Sequence, residues 1–272
     1  MTETYIVCEG YHDRSFWSGA LIFLGCNDPG IKAVDRPRVP VYDPWGVKVE
    51  KGQFGFRTRQ DHFIRIVPTH GRSRIMETAR NRIEQRKVNE LHRLVICIDE
   101  DIPVEGFKRK QDESHIQDLL NWVKAIDHVA KIDGNDVLLG DTDSRVSLIR
   151  WRTADNTDKP GLPAKQTLER ILCKALVQAF PDRAEPVEQW LAGRPDPPKE
   201  NPKEHALSYL AGWFADAANY ESAIRVWWEK DQIKDRLKTV LQETEIWSIM
   251  EEIADTWIAA DGSLDSGMDS GK

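Results

Sequence analysis

The chain has 272 residues, 40% of them hydrophobic and 31% charged, which is enough apolar material to bury a core in one large domain or two modest ones. No apolar run approaches the roughly 18 residues that cross a bilayer, and the first residues lack the basic-then-apolar pattern of a secretion signal; a cytoplasmic protein without membrane association is the expectation. A net charge of −7 argues against a surface that grips nucleic acid by being basic throughout.

Charge is unevenly spread. Arg57, Arg59, Arg65, Arg72, Arg74, Arg80, Arg82, Arg86 and Lys87 crowd one stretch, and the C-terminal third is richer in acids. The four cysteines, Cys8, Cys26, Cys97 and Cys173, have no CxxC pair or zinc spacing and read as buried thiols.

In chain order, residues 5–8 form a short apolar strand ending at Glu9-Gly10. A helix follows with Phe16, Trp17, Ala20, Leu21 and Leu24 on one face, capped at Gly25. Residues 27–70 are rich in Pro, Gly and aromatics, with short strands expected at 39–42 and 63–67. Residues 72–89 read as a helix with Ile75, Met76, Ala79, Ile83 and Val88 inward and the arginines outward.

Residues 91–98 are a β-branched apolar run stopping at Asp99-Glu100-Asp101, as suits a central strand covered on both faces. A helix at 111–126, a strand at 146–151, a polar loop at 153–163 and a helix at 164–180 follow. The rest reads as helical: 187–191, a Pro-rich break at 194–202, then helices over most of 204–260. The tail 261–272 is Gly, Ser and Asp and is expected to be disordered.

Alternating strands and helices followed by helices alone predict an α/β fold, a mostly parallel sheet flanked by helices with a C-terminal helical extension. The expected division is a catalytic domain at 1–180, the extension at 181–260 and the tail at 261–272. In an open parallel sheet, ligands sit beyond the carboxyl ends of the strands, and Glu9 and Asp99 each directly follow an apolar strand. Asp13, four residues after Glu9, lies in the first helical turn, where a helix N-cap is the competing role. Asp99 and Asp101 are two apart, so in an extended segment their side chains share one side. Carboxylates converging in this way repel one another unless cations intervene, and hard oxygen ligands suit Mg²⁺ or Mn²⁺. Asp141 and Asp143 repeat the DxD spacing after residues 137–140, but that run is short and follows the turn-like Asp133-Gly134-Asn135, so this second pair reads as a loop.

These segments resemble a known family. Ile6-Val7-Cys8-Glu9-Gly10-Tyr11-His12-Asp13 is similar to the first TOPRIM motif, and Val95-Ile96-Cys97-Ile98-Asp99-Glu100-Asp101 to the second. The ExxxD form is most similar to nucleases of the OLD (overcoming lysogenization defect) family and to small stand-alone TOPRIM proteins. The resemblance covers roughly residues 1–180 and implies a TOPRIM-like (Rossmann-like) fold.

It also implies a Mg²⁺- or Mn²⁺-dependent endonuclease acting on DNA or RNA, with Glu9, Asp13, Asp99 and Asp101 as catalytic metal ligands and a role in phage defence. The Thr167-Leu168-Glu169 context makes Glu169 a further ligand, and Lys203 is the candidate for the late lysine of OLD-type nucleases. Arg72, Arg74 and Arg80 are candidate phosphate-backbone contacts, with a solvated basic face as the plainer reading. No GxxxxGK[ST] loop is present, so nucleotide-driven control would need a separate ATPase partner.

Two rivals stand beside this reading. In one, an aspartate-nucleophile phosphatase uses the DxD, although there the key Asp follows the first strand. In the other, a non-catalytic TOPRIM module presents Trp213, Trp227, Trp228, Trp247 and Trp257 as a partner or homo-oligomer surface. His12 and His115 read as surface residues.

Overall fold

The computed structural model describes residues 3–27, 52–58, 62–86, 91–101, 112–140, 143–155, 157–195, 202–214 and 220–254, with backbone alone for 112–114, 202–204 and 220–221. The expected strand at 39–42, Asp141, Val88, Trp257 and the tail 261–272 lie outside the described residues, as does the side chain of Lys203.

The apolar runs become strands β1 (Glu3–Cys8), β2 (Phe54–Arg57), β3 (Phe63–Pro68), β4 (Leu91–Asp99), β5 (Lys131–Asp133), β6 (Asp136–Leu138) and β7 (Arg145–Trp151). They form a seven-stranded sheet in the order β2-β3-β1-β4-β7-β6-β5. The four central strands are parallel, and β2 at one edge and β5–β6 at the other are antiparallel. Helices α1 (Tyr11–Phe23), α2 (Arg72–Glu84), α3 (Asp112–Lys124) and α4 (Leu168–Ala179) follow β1, β3, β4 and β7. From β1 the chain moves to β3 on one side and then crosses to β4 on the other, so the strand order reverses between β1 and β4. That reversal opens a crevice at the carboxyl ends of these two strands.

Because side chains alternate along a strand, β4 sends Val95 and Cys97 to one face and Leu94, Ile96 and Ile98 to the other. The second face is covered by α2 and α3, through Ile75, Ala79, Ile83, Leu119 and Val123. The first carries α1 and α4. Behind these lie α5 (Ala184–Ala192), α6 (Pro202–Trp213), α7 (Tyr220–Val226), α8 (Asp231–Gln242) and α9 (Ile246–Ala254), with α7 against α1 and α8 against α4. Trp213, Trp227, Trp228 and Trp247 are all buried in this continuous core, so their indoles are packing groups rather than an exposed partner surface. The four cysteines are buried, and none forms a disulfide.

The structure departs from the sequence reading at several places. Strands β5 and β6, which the sequence reading did not pick out, form a hairpin that extends the sheet edge, and Asp143 lies outside any strand. Helix α4 begins at Leu168 rather than near residue 164, because Thr167 accepts the Arg170 N–H and caps it there. Not every arginine of α2 and its C-terminal flank faces outward. Arg82 pairs with Glu3 and lies over the Tyr5 ring, and Arg86 pairs with Asp127 at 3.0 Å.

A buried histidine pair gives the fold a pH dependence. His62 is 2% exposed, with Nε2 2.8 Å from Thr4 Oγ1 and its ring edge-on to His92 at 5.5 Å. Burial, and then the neighbouring His92, depress its pKa to about 4. The unfolded chain titrates this group near ~6.5, so its neutral form favours the fold above that pH, and the contribution is lost as pH falls toward 4. Denaturant titrations should show stability declining across this window by roughly 3 kcal/mol, a component that His62→Gln removes. An identical acid limb in the variant would contradict the assignment.

Candidate metal centre

Three segments, the β1–α1 junction, the end of β4 and the start of α4, bring acids to the β1/β4 crevice. Glu9 directly follows β1, Asp13 lies in the first turn of α1, Asp99 ends β4, and Glu169 lies in the first turn of α4. The chain around Glu9 is pinned from the neighbouring strand, because Thr69 N–H donates to Cys8 O at 2.9 Å and Gly71 N–H to Glu9 O at 3.1 Å.

Each of three carboxyl groups faces a nitrogen, those of Asp13 and Glu169 buried. Asp13 Oδ1 accepts the Trp151 indole N–H at 2.6 Å, and its Oδ2 accepts the Gly10 backbone N–H at 3.2 Å. Asp13 therefore caps its own helix and faces the crevice at once. Asp99 Oδ1 accepts the Leu168 N–H at 2.9 Å, tying the end of β4 to the start of α4. Glu169 Oε1 lies 3.2 Å from His12 Nδ1.

Asp101 sits apart from these three. Its φ of 57° takes the chain out of the extended conformation, so the expectation that Asp99 and Asp101 share one side of a strand does not hold. Asp is one of the few residues that tolerates this left-handed region. Its N–H donates to Gln166 O at 3.0 Å, and its carboxylate lies 3.6 Å from Arg72 Nη1.

The acids act on one another as like charges. Burial, then the charge of Glu169, push Asp13 up to about 7, Glu9 adding to the effect and the Trp151 hydrogen bond opposing it. Burial, then Glu169 and Asp13, push Asp99 well above the usual carboxylate range, with Glu9 again contributing. Burial also raises Asp101, partly offset by Arg72 and Lys165. Glu169 goes the other way: burial alone would raise it, but the hydrogen bond and charge of His12 outweigh that and hold it low.

An oxygen-only donor set whose members raise one another's pKa has the chemistry a hard divalent cation would relieve. The residues fit such an ion in donor type and charge. Ligand geometry is another matter: among the described residues no group of three or more Asp, Glu, His or Cys side chains stands ready to hold a metal. The turn of Asp13, Asp99 and Glu169 toward separate nitrogens accounts for that.

Of the other candidates, Arg72, Arg74 and Arg80 are exposed on α2, and Arg72 reaches the centre through Asp101. Lys203 belongs to the first turn of α6. Nearby, His205 Nε2 accepts the Ala164 N–H at 3.3 Å, which links that turn to the segment leading into α4. His12 is not a bystander, since it meets Glu169. His115 is partly buried, with Nε2 2.9 Å from Arg150 Nη1 and 3.9 Å from Glu100 Oε1.

Trp151 was missed by sequence reasoning. The available signal is its place at the end of β7, where it pairs with Asp99 across the sheet.

No family model matches the chain. No curated protein matches it either. Among solved structures, the chain is similar to the crystal structure of hypothetical protein PH0156 from Pyrococcus horikoshii OT3, with a TM-score of 0.62 and 16% identity over 93% of this chain and 99% of that one. At that identity the likeness shows the fold: an α/β, Rossmann-like, mostly parallel sheet flanked by helices, with helices at the C-terminal end. Among the described residues no helix is long and apolar enough to cross a membrane.

Proposed function

We propose that this chain is a Mg²⁺- or Mn²⁺-dependent nuclease of the TOPRIM type, hydrolysing phosphodiester bonds of DNA or RNA in the cytoplasm. The observation that carries the reading is the meeting of Glu9 and Asp13 with Asp99 and Glu169, from three separate segments, closely enough that their charges shift the ionisation of Asp13 and Asp99 at the strand-order reversal. Glu9, Asp13 and Glu169 would hold one ion, and Asp99 and Asp101 a second. Bound there, divalent metal would supply Lewis acidity and an activated water.

The chain's own residues do the positioning. Trp151 and the Leu168 N–H fix the Asp13 and Asp99 carboxylates, and His12 orients Glu169. Arg72, Arg74 and Arg80 are exposed on α2, where a phosphate backbone would gain from them. Lys203 is the candidate for a late phosphate-contacting lysine. A separate ATPase partner and a setting in phage defence belong to the proposal through the family resemblance alone.

The test is incubation of the full chain with supercoiled plasmid and with structured RNA, under Mg²⁺ and under Mn²⁺. Metal-dependent cleavage of either supports the reading, and no cleavage of either, with the neighbouring operon proteins added, sinks it. One observation favours a second reading, a non-catalytic module: Asp13, Asp99 and Glu169 each already face a protein nitrogen, as a structural polar network would. A chain with no measurable Mg²⁺ or Mn²⁺ affinity would decide for the module.

A further inference from the structure

A second concave site lies in the C-terminal helices, on the far end of α4 from Glu169. A cavity of about 520 Å³ opens there, walled by Phe180, Trp213, Phe214 and Trp227 and edged by Arg183, Lys230 and Asp231. This size falls in the range of small-molecule sites, roughly 300–1,000 Å³. Phe214 and Trp227 pack with ring centres 4.2 Å apart, giving the wall a flat aromatic character. Arg183 is held against that wall, with its guanidinium carbon 5.6 Å from the ring centres of Phe180 and of Trp213 and Nη2 donating to Trp213 O at 2.9 Å.

The edge carries two cations and one carboxylate, a net positive charge. Among the described residues neither Arg183 nor Lys230 has a carboxylate partner. Asp231, the acid in the cavity lining, is itself paired with Lys234 at 2.6 Å. Two cations beside apolar aromatic walls suit a ligand that is planar and aromatic at one end and anionic at the other, since rings stack on rings and an anion is attracted to unpaired cations.

We propose that this cavity binds a small aromatic anion, the chemistry shared by a nucleotide and an aromatic carboxylic or sulfonic acid. The proposal does not rest on the nuclease reading. It does bear on it, because Leu176 in the cavity wall lies two turns along α4 from Glu169, about 10 Å, so an occupant touches the helix that carries that acid.

The probe is 1-anilinonaphthalene-8-sulfonate, titrated by fluorescence into the folded full chain. One saturable, blue-shifted site per chain is expected. Ile233→Trp, which fills the cavity from α8, should weaken it by about tenfold or more, and the double variant Arg183→Gln, Lys230→Gln by about tenfold, the loss typical of charge-assisted contacts. Both are compared at matched circular dichroism, and should Ile233→Trp fail to fold, the double variant decides. Displacement by AMP assigns a nucleotide, and displacement by 1-naphthoate alone assigns an aromatic acid. Binding that neither competitor displaces, that never saturates, or that the double variant leaves unchanged overturns the proposal.

Discussion

Asp99→Asn is expected to abolish most metal-dependent cleavage, by about 100- to 1,000-fold, while leaving the protein folded. The carbonyl of Asn keeps the volume and an oxygen that can still accept the Leu168 N–H, which the aspartate does at 2.9 Å, so the junction of β4 and α4 survives. What is lost is one negative charge from the proposed ion site. Removing a ligand that stabilises transition-state charge is worth several kcal/mol, and each ~1.4 kcal/mol is tenfold in rate. The melting temperature should hold or rise without metal, because Asp99 is an acid pressed by Glu169, Asp13 and Glu9. Plasmid-cleavage rates and thermal melts on the same preparations check both halves. Cleavage within roughly fivefold of wild type, with intact folding, would remove Asp99 from the chemistry.

Arg170→Met is expected to have the largest effect on stability. Arg170 is fully buried on α4, and its guanidinium donates to Thr153 Oγ1 at 3.1 Å, Thr157 O at 2.6 Å and Pro163 O at 2.5 Å, with Asp155 at 3.7 Å. It holds the loop after β7 against the helix that presents Glu169. Gln166, in the same segment, accepts the Asp101 N–H and the Thr153 N–H. Methionine fills the space but leaves those carbonyls without their donor. Removing one partner of a buried charged network costs about 3–5 kcal/mol, roughly a 10 °C fall in melting temperature for a chain of this size. Urea unfolding measures it, and a loss below about 1 kcal/mol would mean that this loop is held by other contacts.

The elements legible in the sequence were those whose signal is local. The strands ending at Glu9 and Asp99 announce themselves as apolar runs that stop abruptly at acids, and α1 and α2 through their 3.6-residue apolar period. Strands β2, β5 and β6, at four residues or fewer, carry too little pattern to separate from turns.

Within the candidate site, the meeting of Glu9 with Asp99 followed from a general property of parallel sheets. The partners that shape those acids did not. The Trp151–Asp13 hydrogen bond joins residues 138 apart and the His12–Glu169 contact joins residues 157 apart, and nothing in either local sequence encodes such a meeting. The DxD spacing misled for a physical reason: side-chain alternation holds only while the backbone stays extended, and Asp101 leaves it. The turning inward of Arg82 and Arg86 likewise depends on Glu3 and Asp127, acids 79 and 41 residues away in sequence (82 − 3 and 127 − 86).

Calorimetric titration of Mn²⁺ into the wild-type chain and into Glu9→Gln is the most direct measurement. Saturable binding in the wild type that the variant loses places a divalent ion among the crevice acids. No binding in either protein, or equal binding in both, would mean that the convergence of positions 9 and 99 serves the fold alone.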